Sequence, residues 1–292
     1  MAQDTLTLRM ALRNRYVIDG QLEMLTALHI GGGKATLSHT DSPVVLTPDG
    51  LPFIPGSSFK GTLRSTIEKL VSSLPESLGL RSCGLPIEEK DDTNEKCPTA
   101  HQKQIAKDRR DAHDPKQAAQ IQTEILKNLC HTCQLFGSPY AAAHITLHDL
   151  YLLNDEWNNT TQVRDGVAID RDSETAKDGA KYDFEVVPAT TTFAMRIILE
   201  NATEQDLQLI SMGLSEFLHG FGGIGGLRSR GLGACILKNV QISYLDLTKG
   251  KEQERMQRLQ RYLLRKELDT CGAQEFFETH INALFAGSAQ EQ

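Results

Sequence analysis

An α+β fold in the order βαββαβ is what this sequence predicts, on three observations. Two amphipathic helical stretches, 58–72 and 203–219, carry apolar residues at i, i+3, i+4 spacing. Four segments, 14–30, 143–153, 191–200 and 235–247, instead alternate apolar and polar residues, the period of a half-buried strand. Two polar stretches, 75–135 and 155–188, are inserted into that order.

Along 14–30, Tyr16, Ile18, Leu22 and Met24 alternate with polar residues, which reads as a strand or hairpin with Gly20 at a bend, running into Gly31-Gly32-Gly33. The next segment is a long shaped loop containing Asp41, because Pro43, Pro48, Pro52 and Pro55 forbid a helix there. Ser57 and Ser58 are good N-caps, and Phe59, Leu63, Ile67, Leu70 and Val71 then form an apolar stripe, with Lys60, Arg64 and Glu68 on another face. A helix is expected at 115–129 inside the first insertion. Ile145, Leu147 and Tyr151 mark a strand within 143–153. The stretch 155–183, rich in Asp, Asn, Thr and Gly, is too polar for a core and is expected to project. Thr191–Glu200 is a strand. Thr203–His219 is a helix with Glu204 and Asp206 in its favourable first turn. Ile236, Val240, Ile242 and Leu245 define the last strand, and 249–286 is helical in character with charges alternating in sign. The order is that of a modified ferredoxin-like or RRM-type core. We expect one domain over 1–248, with a helical, zinc-stapled insertion at 75–135 and a hairpin at 155–188, and a helical extension over 249–292.

Composition limits the function classes. A net charge of −7 argues against a protein that coats nucleic acid through many phosphate contacts, yet residues 1–72 hold six acidic and seven basic side chains and leave room for a local basic groove. No apolar run approaches the roughly 18 residues of a membrane helix. The first residues lack the apolar core of a signal peptide, so a cytoplasmic protein with no membrane partner is expected. Four of the six cysteines lie within 83–133, and in a reducing compartment that clustering points to a metal before a disulfide.

Two glycine-rich segments have phosphate-binding character. Ile54–Arg64 joins a glycine turn to a helix N-terminus, where backbone N–H groups favour an anion and Lys60 and Arg64 add positive charge. It is not a P-loop, since Thr62 stands where the lysine is required. Residues 220–233 place Arg228 and Arg230 among glycines that permit close backbone approach, but without a dinucleotide fingerprint.

LHIGGG (28–33), DSPVV (41–45), LPFIPGSSFKGTLRS (51–65), CHTCQLFG (130–137), GVAIDRDSETA (166–176), FEVVPATTTF (184–193) and GGIGGLRSRGLG (222–233) follow in that order. Together they resemble the RAMP superfamily, most closely the repeated backbone subunit of type III CRISPR RNA-guided effector complexes. The resemblance implies that His29, Lys34, Ser57, Lys60, Arg64, Arg228 and Arg230 hold guide RNA by its backbone. It identifies the hairpin as a thumb, with Ile169, Asp170 and Arg171 near a tip that wedges into the guide–target duplex. It also implies that Asp41 cuts paired target RNA with a divalent cation, Mg2+ or Mn2+, with His39 as a helper. The partners implied are guide RNA, target RNA, further copies of the chain or related subunits, and large polymerase-like and small helical effector subunits. A subunit that only grips RNA, and a stand-alone ribonuclease processing guide precursor, are the alternatives.

Cys130 and Cys133 have the C-x-x-C spacing that lets two thiolates reach one metal, and Cys97 and His101 offer two further ligands for a structural Zn2+. Cys83 and His131 are substitute ligands, and unpaired thiols in a reduced protein are the other reading. His144 and His148 fall on one face of a predicted strand with no third partner in sequence, and are expected to face a neighbour, RNA or solvent.

Overall fold

The computed structural model describes residues 11–32, 40–84, 97–111, 114–153, 157, 160–172 and 175–286. Lys34 and His39 therefore lie outside the described residues. The elements are β1 (Asn14–Met24), β2 (Phe53–Ile54), α1 (Gly56–Ser72), α2 (Gln102–Asp111), α3 (Pro115–Asn128), α4 (His131–Phe136), β3 (Ile145–Leu147), β4 (Leu150–Tyr151), β5 (Gln162–Ile169), β6 (Ala176–Val186), β7 (Thr192–Glu200), α5 (Glu204–Leu218), β8 (Cys235–Asp246), α6 (Glu252–Arg265), β9 (Asp269–Cys271) and α7 (Ala273–Ala286).

The central sheet is antiparallel, in the order β3-β7-β1-β8-β9. β1 lies between β7 and β8, with Ile18 opposite Ile197 on one side and Ile242 on the other. It is one continuous strand, and the bend expected at Gly20 is a shift of register against β8 between Asp19 and Gln21. Alternation decides what each face does. Ile18, Leu22 and Met24 join Phe193, Met195, Ile197 and Leu199 in the core, while the intervening residues form cross-strand ion pairs such as Arg196–Asp19 at 2.6 Å and Lys238–Glu23 at 2.7 Å.

The core is closed by Phe59, Leu63 and Ile67 of α1, by Leu207, Ile210, Leu214 and Phe217 of α5, and by Phe276, Phe277 and Leu284 of α7. α5 starts as its sequence predicts, with a capping box between Thr203 and Asp206. α1 does not: it begins at Gly56, and neither Ser57 nor Ser58 caps it. Its first N–H is instead taken by the Asp149 carboxylate at 2.7 Å. A local capping signal has yielded to a tertiary partner, because Gly56 packs so closely on β3 that a Cβ would come within 2.7 Å of the Leu147 carbonyl.

Two expectations are corrected. The predicted strand at 143–153 divides, since β3 pairs with β7 whereas β4 turns away to pair with β2. His144 has a partner after all: its Nδ1 is 2.8 Å from Asp206 Oδ2, so it is tied to the cap of α5. The segment 249–286 is helical over α6 and α7, as expected, and in addition β9 adds a strand beside β8 and α7 buries two phenylalanines in the core.

Candidate RNA-binding and cleavage site

Beyond β1 the chain is pinned between two other segments. Leu28 and Val187 form a bridge, and each N–H donates to the other's carbonyl. This sets His29 beside the foot of β6 with 9% of its surface exposed. Its Nδ1 lies 2.7 Å from the Glu185 carbonyl oxygen. A carbonyl can only accept, so Nδ1 donates to it, and Nε2 lies 3.3 Å from the Ser42 hydroxyl, which can serve as its partner. His29 is thus a fully engaged brace between three segments, with the Phe184 ring edge-on to it at 5.6 Å.

The glycine-rich connection after α5 folds over this brace. Gly226 N–H donates to the His29 carbonyl at 2.8 Å, and a Cβ on Gly225, whose φ is +85°, would overlap that same oxygen. The backbone then makes a short 3-10 turn, Arg228–Arg230, that leaves both arginines exposed. Arg230 donates to the Tyr182 hydroxyl, and Tyr182 stacks on Phe184 with 6.0 Å between ring centres. The Arg230 guanidinium is therefore docked on the foot of the β5–β6 hairpin, whereas that of Arg228 lies against Gly223, where a Cβ would come within 3.1 Å of its Nε.

Asp41 is bonded to Asp183, the neighbour of Tyr182 in the same foot. Its N–H donates to Asp183 Oδ1 at 2.6 Å, and the Asp183 N–H donates back to Asp41 Oδ2 at 3.2 Å. The adjacent residues continue the pairing: Glu185 N–H donates to the Ser42 carbonyl at 3.0 Å, and Val44 N–H to Glu185 Oε2 at 3.2 Å. Asp41, Ser42, His29 and Asp183 are thereby joined from three separate parts of the chain, and Arg230 reaches the same strand one residue away, at Tyr182. Of these, His29, Asp41 and Arg230 are candidates that the sequence offers, whereas Asp183 carries no local motif.

The hairpin itself pairs from Gln162↔Val186 out to Ile169↔Ala176, beyond which Asp170 N–H donates to the Thr175 carbonyl at 2.9 Å and Arg171 is exposed. Ser57 is exposed and Lys60 half-buried at the start of α1. Burial and the neighbouring Arg64 lower the Lys60 pKa. Neither side chain makes a hydrogen bond or ion pair with the Asp41 group among the described residues. Arg64 points elsewhere: it reaches Glu68 at 2.7 Å, the Gly137 carbonyl at 3.2 Å and Cys133 Sγ at 3.4 Å, leaving 12% of its side chain exposed.

Arg64 leads to a second centre. The sulfur atoms of Cys83, Cys97, Cys130 and Cys133 all lie within 4.8 Å of one another, with Cys83–Cys133 and Cys83–Cys130 at 3.6 Å. Cys83 completes the set in the place that the sequence offered to His101. His101 ends the short turn after Cys97, its N–H bonded to the Pro98 carbonyl. His131 acts as a clip: its Nδ1 accepts from Arg81 N–H at 3.0 Å while its own N–H donates to the Arg81 carbonyl at 3.1 Å, which brings Cys83 up to the α4 pair. Hydrogen bonds from Cys133 and Cys83 hold the Cys130 thiol well below its ordinary pKa. Four sulfurs on a metal at ~2.3 Å in a tetrahedron would stand about 3.8 Å apart. The observed spacing fits such a centre.

The sequence model of the RAMP superfamily matches residues 21–236. Among curated proteins, the chain is 24% identical over 249 residues to the CRISPR system Cms endoribonuclease Csm3 of Methanocaldococcus jannaschii, covering 80% of this chain and 82% of that protein. It is 49% identical over 61 residues to the protein of the same name from Enterococcus italicus, covering 20% of this chain and 28% of that one. The like-named protein of Methanothermobacter thermautotrophicus is 40% identical over 62 residues, a quarter of its length.

Proposed function

Since the chain belongs to the RAMP superfamily, we propose that it is a repeated backbone subunit of a type III CRISPR effector complex that grips guide RNA and cuts the target RNA paired to it. The observation that carries this reading is the placement of Asp41 at the foot of the projecting hairpin, on the same His29 brace that holds the exposed Arg228–Arg230 turn. A strand of RNA lying on the arginines and glycine backbone would pass beside that carboxylate, and sequence would be read by the guide alone.

The chemistry proposed is in-line attack of a target 2′-hydroxyl on the adjacent phosphorus. The new O2′–P bond forms as the P–O5′ bond breaks, the hydroxyl proton passes to a base, and the departing 5′ oxygen takes up a proton, leaving a cyclic phosphate and a 5′-hydroxyl. Asp41 Oδ2 is held by Asp183, whereas Oδ1 makes no hydrogen bond among the described residues, and the residue is exposed. That oxygen is the one available to orient the hydroxyl. A divalent cation, Mg2+ or Mn2+, bound through carboxylate oxygens here would neutralise charge building on the phosphate.

The order β3-β7-β1-β8 with helices on one face supports a modified ferredoxin-like core. Four thiolates with no open position support a structural zinc ion that staples the insertion. No helix among the described residues is long and apolar enough to cross a membrane, in keeping with a cytoplasmic complex. Copies of the chain, large polymerase-like and small helical subunits are the protein partners proposed. Heterologous contacts between copies would build the filament along the guide.

The test is Asp41→Ala in the assembled complex. Loss of cutting at the positions facing this subunit, with guide and target still bound, is the expected result. Cutting at the normal rate would leave a subunit that only grips RNA, and cutting of repeat RNA by the purified chain alone would point to a guide-processing ribonuclease.

A further inference from the structure

We infer that Asp183 is a positioning residue for Asp41, fixing the cutting carboxylate to the hairpin that enters the RNA duplex; the inference rests on the cleavage role proposed for Asp41. The two residues are 142 positions apart and hold each other by reciprocal bonds: Asp41 N–H to Asp183 Oδ1 at 2.6 Å, Asp183 N–H to Asp41 Oδ2 at 3.2 Å.

These bonds do different jobs. The first fixes the backbone of Asp41, which lies in an irregular segment with no ladder of its own. The second fixes the carboxylate by holding one oxygen and leaves the other without a hydrogen bond among the described residues. Asp41 is exposed, so without these bonds its side chain would sample several rotamers against solvent. Rotamer freedom matters at a reacting carboxylate, because a displacement of about 1 Å from a productive geometry costs on the order of 100-fold in rate.

The attachment point carries the functional content. Asp183 belongs to β6, the return strand of the hairpin, opposite Asp165 of β5. The pairing runs on through the Ser42–Phe184 bridge and the Glu185–Ser42 bond. A hairpin seated in the duplex therefore sets where Asp41 stands relative to the target backbone. Placing two carboxylates side by side is unfavourable for stability alone, since like charges at this range repel. An asparagine at 183 would satisfy the same two hydrogen bonds without that repulsion.

That difference supplies the experiment. Complexes assembled with Asp183→Ala, Asp183→Asn and Asp41→Ala chains are compared for guide content, target-RNA affinity and single-turnover cleavage. In Asp183→Ala the acceptor for Asp41 N–H is gone. The cleavage rate constant is expected to fall about 10- to 100-fold, with target affinity unchanged, because only a transition-state interaction is weakened. Asp183→Asn keeps the acceptor and the N–H, and is expected to cut within about threefold of the parent chain. Parent-like cutting by Asp183→Ala, with Asp41→Ala inactive, would overturn the positioning role and leave the Asp41 reading standing. Asp183→Asn as slow as Asp183→Ala would overturn it differently, by showing that the charge of Asp183 is itself required. Guide content and target affinity falling together with rate in Asp183→Ala would reduce the pair to a folding contact and overturn the inference as well. Cutting by Asp41→Ala would remove the cleavage role and this inference with it.

Discussion

Arg64 donates to the sulfur of Cys133 at 3.4 Å and to the Glu68 carboxylate at 2.7 Å, so a guanidinium from the main helix of the core is the link to the thiol centre. Four thiolates around a divalent ion carry a net charge of −2 by formal count, and a nearly buried cation beside one of them offsets part of it. Arg64→Gln is expected to destabilise the protein by about 2 kcal/mol, because Glu68 and the Gly137 carbonyl lose a charged donor. Thermal melting should register a fall of roughly 4–8 °C. Metal released to a chromogenic chelator should appear faster from the variant, while guide affinity stays near that of the parent. A fall in guide affinity with no change in metal release would return Arg64 to the RNA surface.

The ligand set separates two cysteine-rich readings. Cys83→Ser is expected to abolish one equivalent of bound zinc, and His101→Ala to leave it in place, because the four sulfurs already close the coordination shell. Elemental analysis of the purified variants decides this. Retention of zinc by Cys83→Ser with loss in His101→Ala would restore the set read from spacing alone.

The His29 brace can be tested at one backbone position. Gly225→Ala forces a Cβ onto the His29 carbonyl oxygen at a φ of +85°, whereas Gly231→Ala has the same φ and open space around it. The second substitution should cost roughly 1–2 kcal/mol, the ordinary penalty of a left-handed alanine. The first should cost more and also lower guide affinity by displacing the arginine turn. Filter binding and melting on the two variants give the comparison, and equal effects would show that the close approach is unimportant.

Alkaline stability has a defined sign. Burial, with the nearby carboxylates of Asp246 and Glu204, pushes the Tyr16 hydroxyl up to about 12 from its ordinary value of 10.0. A folded pKa above the unfolded one contributes stability that is fully present below about pH 10 and is lost as pH rises toward 12. Tyr16→Phe should therefore show a shallower decline of melting temperature between pH 10 and 12 than the parent chain. An unchanged slope would assign the loss to other groups, of which Cys235, pushed up to about 12 by burial, is the first.

What the sequence revealed and what it hid divide along a physical line. The core was legible where one element's own periodicity decides its state: the stripe Phe59, Leu63, Ile67 and the alternation through Ile18, Leu22 and Met24 are in place. Features set by a distant partner were not. The capping serines of α1 lost to Asp149, 93 residues away. Lys60, Arg64 and Glu68 do share a face, but nothing local shows that this face meets the thiol centre. Cys83 has no second cysteine at short spacing, so the sequence could offer it only as a substitute ligand, and it is the Arg81–His131 clip that sets it beside the other three thiols. Asp183 is one acid in an acidic stretch until the fold sets it against Asp41. The tail read as helical because its charges alternate over 251–267, and the three-residue β9 is too short to carry a period of its own.

β9 and α7 have a further bearing on the molecule. β8 is a twelve-residue strand whose outer side would otherwise offer unpaired N–H and C=O groups, and the chain's own later residues take Ile242, Ser243 and Tyr244 out of circulation. Blocking an edge in this way discourages strand addition by another polypeptide, the route by which sheets aggregate. Were copies of the chain to line an RNA as proposed, this block would steer them to associate through loops and helices, not through a shared sheet. A chain shortened before Asp269 would lose that guard and is the form most prone to precipitate.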